Sequence, residues 1–246
     1  MNIFVDARMM GADTSRGIGR VIFELLRRLL ADRAFEWTVL VRRAEQMAGL
    51  PAPARVIVAD IPWYGWAEQL RLPGLIARER PDLALFFHWN IPVFSRVPFV
   101  CFLHDLILFH APHSVRLSLR HPVLAAAKAR VQKLLVRFIA WRARAICVPT
   151  EAIASDVRSF FPRLRVPLTV VGEGVTALPV PQAAAGPVPS PYCLTVGSAY
   201  PHKRLDLALW AWKGIAPRFS GLRLLLAGGF DGFRQRLQDQ AAALGL

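Results

Sequence analysis

Cysteine is scarce in this 246-residue chain, and the three present, Cys101, Cys147 and Cys193, are an odd number, each inside an apolar run. That pattern predicts buried thiols of a reducing compartment rather than a disulfide framework or a metal site. Acidic residues are also few, 17 against 31 basic ones, for a net charge of +14. The imbalance predicts attraction to anions, whether nucleotides, acidic lipids or non-specific nucleic acid. Lysine is nearly missing from the basic set, with only Lys128, Lys133, Lys203 and Lys213. The arginines are scattered, and no RNA- or DNA-reading signature accompanies them, so no specific nucleic-acid partner is expected. No apolar run approaches the ~20 residues that a membrane span needs. The longest, Leu83 to Phe94, is broken by His88, Asn90 and Pro92. No P-loop, His-Glu-x-x-His or Gly-x-Ser-x-Gly occurs. The chain opens directly on MNIFVDA, which does not read as a signal peptide, so a cytoplasmic location is expected.

Hydrophobic residues make up 54% of the chain, enough for a sizeable core. Strand-like and helix-like segments alternate. Ile3 to Asp6 reads as a strand and Ile18 to Leu30 as a helix, with Ile18, Val21, Ile22, Leu25, Leu26 and Leu29 on the 3.6 period. Further strands are read at Trp37 to Val41, Val56 to Ile61, Leu83 to Phe87, Phe99 to Leu103, Ala145 to Val148 and Leu168 to Val171. Helices are read at Trp66 to Arg80, interrupted by Pro73, at His121 to Arg144, and at Glu151 to Phe161 with Thr150 as N-cap. Residues 177–191 hold five prolines and read as a linker. The alternation then restarts at Tyr192. The expectation is an α/β protein with a Rossmann-like domain over residues 1–176, the linker, and the start of a second Rossmann-like domain over residues 192–246.

The restart is the most informative stretch. Tyr192 to Val196 is a short apolar run ending in Gly197. A helical pattern with Leu205, Leu209, Trp212 and Ile215 follows, and a second apolar run, Leu222 to Ala227, closes on Gly228 and Gly229. This is a βαβ unit. Lys203 falls at the start of the helix. Free backbone N–H groups, the positive end of the helix dipole and an ammonium together suit a diphosphate. A lysine there also serves simply to solvate a helix end.

The segment VGSAYPHKRLDLAL resembles the donor-binding turn of the retaining GT-B glycosyltransferases of family 4, mannosyltransferase-like enzymes, with Gly197, Ser198, Pro201, Lys203 and Leu205 in register. Arg204 stands where that family has Asn, and His202 where it has Arg. VDARMMGADTSRGIGR is similar to the family's first loop, which puts Gly17 and Gly19 toward the donor across a cleft between domains. His104-Asp105-Leu106 matches the family's His-Asp-Leu after the same strand, which implies that His104 lies near the transferred sugar and the acceptor. His88 also matches a family position. Glu173 departs from the family's Asn and carries no assigned chemistry.

The resemblance implies transfer of a hexose from a nucleotide-diphospho-sugar, with GDP-mannose the first expectation, to a glycan or lipid-linked acceptor. It implies no cofactor and no metal, and no Asp-x-Asp is present to hold one. The donor-binding residues would be Gly17, Gly19, Gly197, Ser198, Lys203 and Arg204, with His104 catalytic. The family's Glu-x7-Glu pair has no counterpart, since every glutamate precedes residue 174. The expectation is therefore a first domain plus an incomplete second. A non-catalytic fragment that binds acceptor, membrane or a partner, and an unrelated two-domain nucleotide binder, stand as rival readings. In the long helix, Val131, Leu134, Leu135 and Phe138 read as a core stripe. Arg130, Lys133, Arg137 and Arg144 form another face beside Trp141, suited either to an anionic inner leaflet or to plain solvation.

Overall fold

The structure, a computed structural model, describes residues 1–11, 17–110, 122–174, 191–229 and 232–246. Loop residues 12–16, His113, the start of the long helix at His121, Val175 and the linker apart from Pro191 lie outside them. The described residues fall into two units, one up to residue 174 and one from residue 191, taken here in turn.

The first unit is built on seven parallel strands: β1 (Asn2–Asp6), β2 (Glu36–Val41), β3 (Arg55–Val58), β4 (Leu83–Phe86), β5 (Phe99–Phe102), β6 (Ala145–Val148) and β7 (Leu168–Val170). Their order across the sheet is β3-β2-β1-β4-β5-β6-β7. Val5 of β1 pairs with Val39 on one side and Leu85 on the other. The helices are α1 (Gly17–Leu29), α2 (Trp66–Glu79), α3 (Ile107–His110), α4 (Pro122–Arg142) and α5 (Glu151–Phe160).

Side chains alternate along a strand, so each inner strand feeds two cores. Ile3 and Val5 pack with Ile22 and Leu26 of α1, with Trp37 and Val39 in the same cluster. Phe4 joins Leu72 and Ile76 of α2, Ile139 of α4 and Val157 of α5 on the opposite face. Three layers result. Crossovers between parallel strands are right-handed, so the two connections running from β1 through β2 to β3 put α1 and, with Met47 and Leu50, the β2–β3 segment on one face. The strand order reverses between β1 and β4.

Two local expectations are corrected. Pro73 does not interrupt α2, which runs through it unbroken. The proline removes one N–H, but Leu72 and Ile76 are fully buried on either side and packing holds the turn. In α4, Val131 and Leu134 are not core residues: each is 55% exposed. The buried stripe is Ala129, Val136 and Ile139, continued by Ala143.

The second unit pairs β8 (Tyr192–Val196) with β9 (Arg223–Ala227) in parallel, with α6 (Leu205–Ile215) between them in sequence and α7 (Gly232–Ala243) after them. Leu209 is its one buried hydrophobic residue among those described. Leu194 and Val196 of β8 are exposed, and so is Cys193. Cys193 therefore departs from the expected burial, because a two-stranded sheet cannot cover both of its faces. Cys101 is buried and Cys147 half-buried as core thiols, and burial pushes both thiols up, Cys101 further.

Candidate functional site

The reversal of strand order leaves a crevice beyond the carboxyl ends of β1 and β4, where open α/β sheets place ligands. A buried polar cluster fills it. Asp6 ends β1, and the chain turns so that Arg8 folds back on it: Nε and Nη2 of Arg8 donate to the Asp6 carboxylate at 2.8 and 2.7 Å. Nη1 donates to the Ile61 carbonyl at 3.0 Å and Nη2 to Glu68 Oε1 at 2.5 Å. Glu68 lies in the first turn of α2, and its Oε2 accepts from the Tyr64 N–H at 3.1 Å and from the Asn90 amide. Exposure of the three charged side chains is 2% for Arg8, 9% for Asp6 and 1% for Glu68. Burial alone would lower the Arg8 pKa, but the charges and hydrogen bonds of Asp6 and Glu68 overcome it and hold the guanidinium above its usual value. Burial pulls Glu68 up despite Arg8 and Asn90, as expected of one cation shared by two carboxylates. About 10 Å³ remains among these groups, room for no more than a single water.

His88 follows β4. Its Nδ1 accepts the Asn90 N–H at 3.2 Å, which places the ring proton on Nε2, 3.4 Å from Tyr64 Oη. Burial, then the charge of His104, lowers its pKa to about 3, so the ring is neutral. His104 follows β5, with Nε2 2.9 Å from the Phe87 carbonyl and Nδ1 3.3 Å from Glu173 Oε1. With Nε2 donating to that carbonyl, Nδ1 donates to the carboxylate only when the ring is charged. Glu173, which had no assigned role, thus joins the histidine from beyond β7. His110, at the end of α3, meets Asp156 of α5 at 2.7 Å.

Of the glycines expected to face a donor, Gly17 opens α1 in free space. Gly19 is buried, and a Cβ there would stand 2.9 Å from the Met9 carbonyl, so it lets α1 seat against the loop after β1.

In the second unit, the turn between β8 and α6 begins at Gly197, whose φ is +145°. A Cβ on Gly228, beyond β9, would fall 1.9 Å from the Gly197 carbonyl oxygen, so two backbones meet there with no space for a side chain. Ser198 follows. Lys203 does not open the helix: it ends a 3₁₀ turn, Pro201–Lys203, and α6 starts at Leu205. Between them Arg204 adopts the left-handed conformation at φ 51°. Lys203 is exposed, and its ammonium pairs with no other described residue. Arg204 is held by Asp206 through two bonds of 3.1 and 3.2 Å. The Arg204 hydrogen bond holds the Asp206 carboxyl below its usual range. Beside the turn, residues of β8, β9, α6 and α7 enclose a pocket of about 150 Å³ lined by Gly197, Leu205, Gly228, Gly229, Arg234 and Gln238, among others.

Sequence reading missed the Arg8–Glu68–Asn90 cluster. Its signal was a charged residue two positions past a buried strand, together with a glutamate in the first turn of a helix.

The Glycosyltransferase Family 4 profile matches residues 15–177. Sucrose-phosphate synthase from Thermosynechococcus elongatus is similar in structure over 100% of this chain and 68% of its own, at 13% identity and a TM-score of 0.67. Anabaena HepE in complex with UDP is similar over 100% of this chain and 66% of its own, at 14% identity and a TM-score of 0.57. HepE with UDP and glucose gives 99% and 66%, at 15% identity and a TM-score of 0.56. This chain thus spans about two thirds of the length of those proteins, and at such identities the likeness is one of fold, the GT-B type. No curated protein sequence matches it.

Proposed function

The chain belongs to glycosyltransferase family 4, and from that premise we propose that it moves a hexose, with retention of configuration, from a nucleoside-diphosphate sugar to a hydroxyl of a glycan or lipid-linked acceptor. GDP-mannose is the donor the sequence resemblance favours; UDP on HepE shows that a related fold takes a nucleoside diphosphate. No metal is proposed. The observation that carries the reading is the turn from Gly197 to Arg204, with an exposed Lys203 that has no partner among the described residues two residues before a helix.

In this reaction the bond from the anomeric carbon to the diphosphate oxygen breaks. A bond to the acceptor oxygen forms, and the proton of the acceptor hydroxyl passes to the departing diphosphate. Negative charge grows on the departing phosphates. The Lys203 ammonium and the N–H groups beside it stabilise that charge more in the transition state than in the ground state, which is what accelerates the step. The absence of a side chain at Gly197 lets the diphosphate approach the backbone, that at Gly228 lets the two backbones meet beneath it, and Ser198 adds a hydroxyl. Arg204 contributes only by exchanging Asp206 for the phosphate. Gly17 is the proposed donor contact of the first unit, and Gly19 seats the helix that carries it. His104 holds the sugar or the acceptor hydroxyl.

The test is calorimetric titration of GDP and UDP. Lys203→Ala should weaken binding of the preferred nucleotide about tenfold, the loss of one charge-assisted hydrogen bond. Unchanged affinity would sink the proposal.

One observation favours a second reading, a non-catalytic module that binds acceptor or membrane on the cytoplasmic leaflet. The outward face of α4 carries Val131 and Leu134, each 55% exposed, and Trp141, 77% exposed, with Arg130 and Arg137 exposed beside them. Among the described residues no helix is long and apolar enough to cross a membrane. A helix apolar outward with arginines alongside suits surface contact. Glutamate at Arg130 and Arg137 should abolish co-sedimentation with anionic liposomes.

A further inference from the structure

Beside the buried cluster, between the amino end of α2, the segment after β4 and α4, runs an open groove of about 390 Å³. It is the size of a small-molecule site and far larger than the crevice under Arg8. Its walls are apolar, with Trp66, Phe94, Val131 and Leu135 among them, and Trp66 and Phe94 are mostly exposed. Of the polar lining residues, Gln69 is bonded to the backbone of Ile91 and Val93 and Asn90 to Glu68, and two polar features are left facing the groove. The Lys128 ammonium, the only cation among the described lining residues, stands 5.6 Å above the Tyr64 ring. The Gln132 amide oxygen is buried, with no hydrogen-bond partner among the described residues. A buried orphan acceptor costs free energy unless a ligand supplies a donor. Val131 belongs both to this groove and to the exposed stripe of α4, so the groove opens onto the same surface as that stripe.

We propose that this groove takes the hydrocarbon chain of a membrane lipid whose head is anionic and carries a hydroxyl, with the phosphate at Lys128 and the hydroxyl on Gln132 Oε1. The inference rests on the acceptor half of the proposed function and narrows it: the sugar is delivered to a lipid. An aliphatic chain satisfies the apolar walls, the head satisfies both polar groups, and the stripe on α4 brings the groove to the bilayer surface. A polypeptide helix would satisfy the walls but leave a lone lysine to meet it, since among the described lining residues the one acidic side chain, Glu68, is already committed to Arg8, Tyr64 and Asn90.

The experiment uses the full chain and vesicles of phosphatidylcholine, alone or mixed with phosphatidylglycerol. A photoactivatable diazirine is placed in the acyl chain of one lipid or the other, and adducts are mapped by mass spectrometry. Phosphatidylglycerol should label the peptides holding Trp66, Phe94 and Val131–Leu135. Lys128→Ala and Val131→Asp, both at exposed positions, should each cut that labelling about tenfold. Leu134→Asp, on the stripe but outside the groove, should weaken vesicle binding while a short-chain soluble phosphatidylglycerol still labels the groove. Equal labelling by phosphatidylcholine, adducts elsewhere, or cross-links to a second copy or another polypeptide instead of lipid would each overturn the proposal. Labelling needs no sugar donor. A labelled groove without sugar transfer would count against the transferase reading alone, and transfer to a water-soluble acceptor with an unlabelled groove against the groove alone.

Discussion

Replacing Arg8 with methionine should be among the most damaging single changes in the first unit. Arg8 neutralises two carboxylates that are themselves buried, Asp6 at 9% and Glu68 at 1% exposure, and it donates to the Ile61 carbonyl besides. Methionine fills the volume but supplies neither charge nor donor, so two acids and a carbonyl lose their partner out of water. Breaking a buried ion pair from one side costs about 3–5 kcal/mol. For a unit of this size that corresponds to a Tm drop on the order of 6–20 °C. The pH dependence tests the cause. Glu68, ordinarily near 4.5, is already raised by burial in the native fold. Without Arg8 it rises further, so the folded state binds more protons than the unfolded one between the ordinary and the raised pKa. Stability there falls as pH rises and recovers on acidification. Urea unfolding of both proteins at about pH 5 and about pH 8 should show the smaller deficit at the lower pH. A deficit that ignores pH, or stays below about 1 kcal/mol, would mean that Arg8 acts by packing alone and that the cluster is not electrostatically coupled.

Gly228→Ala should disrupt the β8–β9 pair, since its Cβ would lie 1.9 Å from the Gly197 carbonyl oxygen, whereas Gly229→Ala meets nothing within 4 Å. Amide hydrogen exchange of Thr195 and Val196 should rise in the first variant only. Iodoacetamide should label Cys193 in the native protein, and Cys101 and Cys147 only on unfolding, because burial keeps those two as thiols. The His88 ring, lowered from 6.5 to about 3, should show no titration by NMR between about pH 5 and 8. Because its depressed pKa means that the unfolded chain takes the proton first, its contribution to stability is lost as pH falls below 6.5, opposite in sign to that of Glu68.

Much of the fold was legible because its signals are local. Val, Ile, Leu and Phe runs such as Phe99–Phe102 announce strands buried on both faces, and Ile22 and Leu26 announce the inner stripe of α1. Where expectation failed, tertiary packing had overridden the local rule. Pro73 breaks an isolated helix but not one clamped by Leu72 and Ile76. In α4 apolar residues occupy both faces, so periodicity offers no direction, and Val131 and Leu134 point outward while Ala129 and Val136 point in. The turn before α6 was legible as a motif, but its geometry was not: only coordinates reveal that Arg204 takes the left-handed conformation and is held by Asp206. The buried cluster was illegible for a different reason. Arg8, Glu68 and Asn90 are far apart in sequence and become neighbours only when β1 and β4 are laid side by side.

Every strand of the larger sheet runs the same way, so the chemically equipped loops all emerge from one rim. The opposite rim, where the chain enters β2 near Asp32–Phe35 and β4 near Pro81, carries neither the buried charged cluster nor the histidines of the crevice. It is the natural place for an affinity handle, a fluorophore or a surface tether, since an attachment there leaves the working side of the protein facing outward.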